Sequence, residues 1–288
     1  MLRRRMVDVD VIVTGRVPMP HAYVYRPGTW NPLLRVAQVF TPGGETVKGA
    51  CLAYVVRHPS AGTILIDTGF HRDATESLRK DLGTTMGIVF RGLRPAETPY
   101  DEQLRELGVD PRKVERVVMT HLHADHTSGM RLLPNARFAI ARREWKAARA
   151  RGAVTGGYVG RHMPPEERVE LVDFESDGEP HGPFASTIDL LGDGSMRLLS
   201  TPGHTSGHMS VLLTAAGGRD VLVVGDAAYT LRSIEEQRLS LLAANDDRYR
   251  ESLKQIKAFM EQEPEAIVVP SHDPDAWRAL HAVTATAR

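Results

Sequence analysis

Four side chains that commonly bind metal ions lie within six residues of this chain, in the sequence His-Leu-His-Ala-Asp-His at positions 121–126. In an extended chain alternate side chains point the same way, so His121 and His123 can hold one metal ion together. Asp125 and His126 have opposite parity, and a turn must follow before both can reach a second ion. Imidazoles and a carboxylate crowded this closely need a cation or extensive solvation, so the segment predicts a metal site.

Three further candidate ligands lie after or near the ends of apolar segments: His204, Asp226 and His272. With the first segment they make seven candidates, five imidazoles and two carboxylates. Zn²⁺, Mn²⁺, Fe and Co share these ligands, so ligand chemistry alone does not decide the metal. A carboxylate can span two ions about 3.5–4 Å apart, and one acid more than a single site needs favours a pair. Water between two such cations loses a proton near neutral pH, which predicts a two-metal hydrolase.

Two other polar residues are predicted to support the ligands rather than to bind metal. Asp67 ends an apolar strand, and we expect its carboxylate to orient a ligand histidine. His208 opens the strand that follows the turn carrying His204, and we expect it to be a hydrogen-bonding structural residue.

The elements that must position these residues are short β-rich segments that alternate with helical ones. Segments 63–66 and 221–224 are nearly all apolar, as expected of strands buried on both faces, and this requires layers outside the sheets. Two sheets packed together and covered by helices satisfy the pattern. Residues 18–44 are rich in proline, glycine and aromatic residues and predict a long loop or lid, while residues 174–194 predict surface connections.

The composition limits the classes of protein that fit. The 288 residues are 42% hydrophobic, enough for a substantial core, and we expect one domain over residues 1–288. Lys plus Arg and Asp plus Glu number 36 each, a balance that argues against nucleic acid as a partner. The basic start is followed by acids that interrupt an export signal, and no apolar run reaches the ~18 residues of a membrane span. We therefore expect a cytoplasmic protein with no membrane partner.

The single cysteine, Cys51, cannot form an internal disulfide. Zinc sites with thiolate ligands are recognised by two or more cysteines at a short spacing, so the sequence predicts no thiolate metal site.

Taken together, the motifs resemble those of the metallo-β-lactamase superfamily. The run at 121–126, Thr201-Pro202-Gly203-His204, Gly225-Asp226 and Ser271-His272-Asp273 occur in that family's order and approximate spacing, and Ile66-Asp67-Thr68-Gly69 resembles its early strand and turn. The resemblance covers about residues 8–285. It implies an α+β fold, the αβ/βα four-layer sandwich, with the metals at one edge of the two sheets.

The resemblance also implies how the ligands divide between two metals. One metal would be held by His121, His123 and His204, and the other by Asp125, His126 and His272. Asp226 would bridge the two. Two divalent ions per chain are implied, with zinc as the first expectation and Mn, Fe or Co as alternatives.

Within the superfamily the chain is most similar to the N-acyl-homoserine lactone lactonases. In those enzymes a tyrosine three residues after the bridging aspartate hydrogen-bonds the substrate near the attacked carbonyl, and Tyr229 stands at that position. The resemblance implies that a hydroxide bridging the metals opens the lactone ring while Tyr229 and one metal stabilise the oxyanion. Asp125 could carry a proton to the leaving ring oxygen.

Extra length relative to the compact members of that group is expected around residues 18–50 and 83–97, as lid or insertion segments. An acyl tail needs an apolar groove beside the polar centre, and the candidates from these segments are Met19, Tyr23, Tyr25, Trp30, Met86, Ile88 and Phe90. Ordinary core packing or the interface of a homodimer explains the same residues equally well.

Two other classes of function stay open. The same scaffold could serve another hydrolase, such as a thioesterase of the glyoxalase II type, a phosphodiesterase, an arylesterase or a β-lactamase. A β-lactamase would be secreted and usually lacks the carboxylate that Asp226 supplies, and the tail after Ser271 is too short for a glutathione-binding helical region. The other class is a catalytically silent metal-binding scaffold, which we would expect to have lost one or more ligands.

Overall fold

The computed structural model describes residues 6–28, 44–215 and 218–280. Within them two β-sheets face each other, and helices cover their outer faces. Trp30, one of the groove candidates, lies outside the described residues.

The first sheet has seven strands in the described part of the chain, in the order β4-β1-β2-β3-β5-β6-β7. The pairs among β1, β2 and β3 are antiparallel, whereas β3, β5, β6 and β7 run parallel to one another. The bounds are β1 Asp8–Pro20, β2 Thr46–His58, β3 Gly62–Ile66, β4 Arg94–Pro95, β5 Arg116–Val118, β6 Arg137–Ala141 and β7 Val169–Val172.

The second sheet has six strands within the described residues, in the order β13-β12-β11-β10-β9-β8. Its pairs are antiparallel except for β12 and β13, which are parallel. The bounds are β8 Glu179–His181, β9 Phe184–Asp189, β10 Met196–Ser200, β11 Met209–Thr214, β12 Asp220–Gly225 and β13 Ile267–Pro270.

The helices begin at side-chain caps where the sequence offers them. The longest in the described chain, α8, starts at the N-cap Asn245, whose side chain accepts a hydrogen bond from the backbone N–H of Arg248. The bounds are α1 His21–Val24, α2 Asp73–Glu76, α3 Leu78–Val89, α4 Tyr100–Glu106, α5 Ala124–Thr127, α6 Arg142–Ala148, α7 Leu231–Glu235 and α8 Asp246–Gln262, and residues 276–280 are also helical. No helix in residues 6–28, 44–215 and 218–280 combines the length and apolar character that crossing a membrane requires.

Apolar side chains fill three interfaces between the layers. The central cluster joins the two sheets and includes Ile66 from the first and Val223 from the second. Another packs the outer face of the first sheet against α4 through Leu104, and a third packs the second sheet against α8 through Leu253. The order helix, sheet, sheet, helix confirms the predicted αβ/βα four-layer sandwich.

Two segments predicted to be irregular contain strands instead. Residues 174–194 contain the β8–β9 hairpin at the edge of the second sheet, and the residues on either side of it are turns and bends. Its short strands lack the apolar runs that mark buried ones. In the segment 18–50, β1 continues to Pro20 and β2 begins at Thr46, while residues 29–43 lie outside the described part of the chain, and the lid predicted there stays a prediction. Since β4 pairs with β1 only at Gly15 and Arg16, the prolines near the end of β1 lie on an edge, where proline is tolerated.

Candidate metal centre

The candidate ligands all follow the carboxyl ends of strands. Strands β10 and β12 are both antiparallel to β11, and β12 is parallel to β13, so their carboxyl ends meet at one edge of the second sheet. The carboxyl ends of β3 and β5 likewise meet at one edge of the first sheet. The residues that follow these ends are Asp67 after β3, His121 and His123 after β5, His204 after β10, Asp226 after β12 and His272 after β13.

The first group of ligands holds four buried side chains. His121, His123, His204 and Asp226 each offer one ligand atom, and these atoms lie within 4.8 Å of one another. The Nε2 atom of His204 lies 3.0 Å from Nδ1 of His123 and 3.3 Å from Oδ2 of Asp226. Donor nitrogens this close to one another and to a carboxylate can bind one cation together.

A second group adjoins the first through the same aspartate. Ligand atoms of His126, Asp226 and His272 lie within 4.8 Å of one another, as do those of Cys51, Asp125 and His272. The short helix α5 supplies the turn that the spacing of Asp125 and His126 required. Oδ1 of Asp226 lies 3.3 Å from Nε2 of His126, while Oδ2 lies 3.4 Å from Nε2 of His272. All seven sequence-predicted ligands therefore converge, with Asp226 between the two groups.

Four of the ligand rings have one nitrogen engaged by the protein and the other turned inward. This arrangement fixes tautomer and ring orientation in metal-binding histidines. Nδ1 of His121 donates to Thr120 Oγ1 at 3.1 Å, and Nδ1 of His126 donates to Asp67 Oδ2 at 2.7 Å. Nδ1 of His204 donates to the Leu242 carbonyl at 3.2 Å, and Nδ1 of His272 donates to the Ala50 carbonyl at 2.8 Å.

Several inward-facing atoms have no hydrogen-bond partner within the described residues. They are Nε2 of His121, Nε2 of His126 and Oδ1 of Asp226, and all three residues are buried. The last two atoms lie 3.3 Å apart as an ion-pair contact, without the alignment of a hydrogen bond. Burying such atoms unpaired is costly, and a divalent cation would satisfy the two nitrogens and the oxygen at once. The donor set thus fits the metal that the sequence predicts.

The electrostatics of the site favour positive charge beside Asp226. Burial lowers the pKa of His121 and of His123 well below the usual histidine value, so both rings are neutral and have a free lone pair. Burial would also lower the pKa of His126 and of His272, but the carboxylates around them hold both values well above that of an ordinary histidine. The same contacts hold the pKa of Asp226 well below its usual range, although burial alone would raise it.

Asp67 has the supporting position predicted for it. Its carboxylate accepts hydrogen bonds from Nδ1 of His126 at 2.7 Å and from the backbone and hydroxyl of Thr120 at 2.8 and 2.7 Å. The Thr120 hydroxyl in turn accepts from Nδ1 of His121. One carboxylate therefore orients a ligand from each group, and its backbone adopts a φ of 55°, which is uncommon outside glycine.

His208 hydrogen-bonds polar groups around the centre, and its ring centroid lies 5.2 Å from that of His121. Its Nε2 accepts a hydrogen bond from the Asp226 N–H at 2.9 Å, and its Nδ1 donates to the Thr201 hydroxyl at 3.0 Å. Burial lowers its pKa to about 3, which keeps the ring neutral and able to accept. Gly225 lets the ring approach, since a Cβ there would lie 2.6 Å from Nε2, and its φ of 63° also favours glycine.

Glu144 is a supporting residue that sequence reasoning missed. It lies on α6, and its two carboxylate oxygens accept from the backbone N–H groups of Leu122 and Gly207, both at 3.0 Å. A Cβ at position 207 would lie 2.2 Å from the backbone nitrogen of Glu144, so only glycine allows this approach. The carboxylate thereby joins the loop of His121 and His123 to the loop of His204, a pairing that no local sequence signal reveals.

Tyr229 lies at the centre, buried at 3% exposure. Its ring centroid is 4.9 Å from that of His272 and 5.6 Å from that of His204. Its ring centroid lies 6.0 Å from that of Tyr23 on α1. Burial raises the pKa of Tyr23 to about 12 and that of Tyr229 well above its usual value, so both phenols stay protonated. Tyr23 was predicted only as a groove residue, and its contact with Tyr229 gives it a position in the site itself.

The other groove candidates divide between the core and the surface. Met19, Tyr25 and Met86 belong to the apolar cluster that includes Tyr229, with Phe90 packed against it. Ile88 is 61% exposed at the end of α3 and lies apart from this cluster. The apolar residues near the centre therefore come mainly from β1, from α1 with the residue after it, and from α3.

Comparison with known proteins adds relatives that share most of the chain. The family model described as the metallo-beta-lactamase superfamily matches residues 46–272. N-acyl homoserine lactonase AttM of Agrobacterium fabrum is 33% identical over 230 residues, which cover 78% of this chain and 82% of that protein. A probable metallo-hydrolase of Mycobacterium tuberculosis is 31% identical over 245 residues, 75% of this chain and 73% of that protein.

Solved structures show the same architecture. One described as a quorum-quenching N-acyl homoserine lactone lactonase superposes with a TM-score of 0.71 at 21% identity, covering 96% of this chain and 95% of that one. At this level of identity the likeness establishes the shared fold.

Proposed function

Since the chain belongs to the metallo-β-lactamase superfamily, we propose that it is a metal-dependent hydrolase that opens the ring of N-acyl homoserine lactones or related lactones. The observation that carries the proposal is the convergence of seven buried ligands on two adjoining groups that share Asp226. The relatives named as N-acyl homoserine lactonases support the substrate class.

Two divalent ions per chain, zinc in the first place, fit these residues. His121, His123 and His204 would hold one ion, and Asp125, His126 and His272 the other, with Asp226 between them. When bound, such a pair supplies an acidified water as nucleophile and a Lewis acid for the carbonyl oxygen.

The remaining chemistry falls to side chains of the chain itself. The protonated hydroxyl of Tyr229 donates a hydrogen bond to the carbonyl oxygen as negative charge develops there. The Asp125 carboxylate, 3.5 Å from Nε2 of His272, can carry a proton to the ring oxygen as the C–O bond breaks. The buried apolar cluster of Met19 and Met86 includes Tyr229 and makes this side of the centre apolar, as the recognition of an acyl tail requires.

The balance of 36 basic and 36 acidic residues supports a small-molecule substrate over a nucleic acid. One relative is named only as a probable metallo-hydrolase, so hydrolysis of another ester-type substrate is the second candidate function. The same centre would act on thioesters, aryl esters or phosphodiesters if the walls of the pocket admit them.

The test is a panel of homoserine lactones of varied acyl length, with thioester, aryl ester and phosphodiester controls, followed by pH-stat and HPLC. We expect lactone opening that stops with chelator and returns when zinc is added back. Faster turnover of a thioester or phosphodiester would support the second candidate. Protein with about two ions per chain, as expected of a two-metal centre, that turns over none of these compounds would contradict both.

A further inference from the structure

Cys51 lies against the second group of ligands. Its sulfur and one ligand atom each from Asp125 and His272 lie within 4.8 Å of one another. The residue is 2% exposed and is the only cysteine of the sequence. Because Cys51 belongs to no metal-binding motif, only the fold brings its thiol here.

The ligand group next to the thiol contains buried polar atoms that need a cation. Nε2 of His126, 3.8 Å from the Asp125 carboxylate, has no hydrogen-bond partner in the described chain, and neither has Oδ1 of Asp226. Both residues belong with His272 to the group that Cys51 adjoins. This observation is independent of the cysteine and points to an ion at the same place.

Strand β2 holds the thiol and His272 in a fixed relation. The carbonyl of Ala50 accepts the Nδ1–H of His272 at 2.8 Å, and the carbonyl of Cys51 accepts from the Thr14 hydroxyl at 3.0 Å. A Cβ at Gly49 would lie 3.1 Å from Cβ of His272, so the strand and the ligand loop are in close contact. The backbone that orients His272 thus also presents the sulfur.

We propose that Cys51 is a ligand of the ion held by Asp125, His126 and His272, which would make this a mixed nitrogen, oxygen and sulfur site. The thiol loses its proton to solvent as the sulfur–metal bond forms. A thiolate favours zinc, cobalt or cadmium over manganese or magnesium, so the ligand would also select the metal.

This inference rests on the proposed two-ion centre but not on lactone hydrolysis, and it is tested without substrate. Metal-free protein is loaded with two equivalents of Co²⁺, and the near-ultraviolet sulfur-to-cobalt charge-transfer band is recorded for wild type, Cys51→Ser and Cys51→Ala. Met19→Leu is the matched control, because the Met19 thioether is another sulfur beside Gly49. X-ray absorption of the zinc-loaded wild type gives a second readout that needs no variant.

We expect the band in wild type and in Met19→Leu, its loss in both Cys51 variants, and a sulfur scatterer at about 2.3 Å from zinc. Two bound metals without the band and without a sulfur shell would overturn the ligand role of Cys51 while leaving the two-ion centre intact. A band that disappears only in Met19→Leu would overturn it in favour of the thioether. Protein that binds no metal would overturn both this inference and the proposed function. An intact band with no lactone turnover would contradict only the lactonase assignment.

Discussion

Asp226 is the side chain on which both groups of ligands depend. Its Oδ2 lies 3.7 Å from Nε2 of His121 and 3.4 Å from Nε2 of His272, so one carboxylate serves both. The seven candidate ligands could be predicted from sequence because they stand in recognisable local motifs, five of them after strand ends and Asp125 and His126 on the short helix α5. The contacts of Glu144 and Tyr23 and the position of Cys51 could not be, because they depend on residues distant in sequence.

The substitution Asp226→Ala should remove at least one metal and lower turnover at least ~100-fold, because losing even an outer partner of a ligand costs up to that much. The loss also removes the carboxylate that contributes most to the raised pKa of His272, and one of the three carboxylates that raise the pKa of His126. Metal analysis after dialysis and lactone kinetics measure the two effects. Retention of two tightly bound ions would contradict the bridging role.

Removing the hydroxyl of Tyr229 should separate catalysis from metal binding. Tyr229→Phe should keep its metal content and lose about 100–1000-fold in kcat, the usual cost of one oxyanion donor. Tyr23→Phe should lose only about 5-fold, because it removes one neutral polar group beside Tyr229 and leaves the Tyr229 hydroxyl in place. Tyr25→Phe is the control, since the Tyr25 hydroxyl bonds Thr230 at 2.9 Å. If all three variants matched wild type on lactones, the role assigned to Tyr229 would be wrong.

At the scale of elements, the centre depends on how loops and short helices are fastened together. The carboxylate of Glu144 on α6 joins two ligand loops, and the carboxylate of Asp81 on α3 fastens the residues that follow α5. Sequence patterns predicted the strands that end at the site. They did not predict these hydrogen bonds between carboxylates and loops, since a buried carboxylate has no local signature in the sequence.

Replacing Glu144 by glutamine should loosen the metal centre. The amide has one acceptor oxygen, so its NH2 group would face the N–H of either Leu122 or Gly207 and separate the two loops. We expect metal affinity to fall about 10–100-fold, measured by chelator competition. Glu166→Gln is the control, because the Glu166 side chain is 70% exposed. Equal affinities for the two variants would contradict the fastening role.

Asp81 should make the fold acid-sensitive. Burial alone would raise the pKa of Asp81, but His162 and Ser128, with the charge of Arg131, hold it below the usual value. A depressed pKa stabilises the fold above the unfolded value of about 3.9, and that contribution is lost as pH falls through the folded pKa. Asp81→Asn should cost about 3 kcal/mol at neutral pH, because it strands buried partners.

The measurement for Asp81 is denaturant unfolding of metal-free wild type and variant at several pH values. The difference in unfolding free energy between them should shrink below about pH 4. A difference that is constant with pH would show that the carboxylate charge is not what stabilises the fold.

At the scale of the whole molecule, the centre exists only when the two sheets pack. His121 and His123 follow a strand of the first sheet, whereas His204, Asp226 and His272 follow strands of the second. The layered fold could be predicted because all-apolar strands require cover on both faces. The edge hairpin β8–β9 could not, since edge strands are short and half-exposed. That residues 1–288 form one domain stays a prediction.

Metal should therefore stabilise the packing of one sheet on the other, in a manner that depends on pH. A ligand at 100 times its Kd adds about 2.7 kcal/mol to the free energy of unfolding. The carboxylates around His126 and His272 hold their pKa above the usual histidine value, so in the metal-free protein these rings retain protons that a cation must displace. The gain in Tm on adding zinc should thus increase as pH rises from about 6 to about 8.

Scanning calorimetry of zinc-loaded and chelator-treated protein at both pH values measures this gain, with His58→Gln as a control for a buried histidine outside the centre. A gain of equal size at both pH values would mean that protons do not compete with the metal at these two rings, and the absence of any gain would mean that metal does not join the sheets.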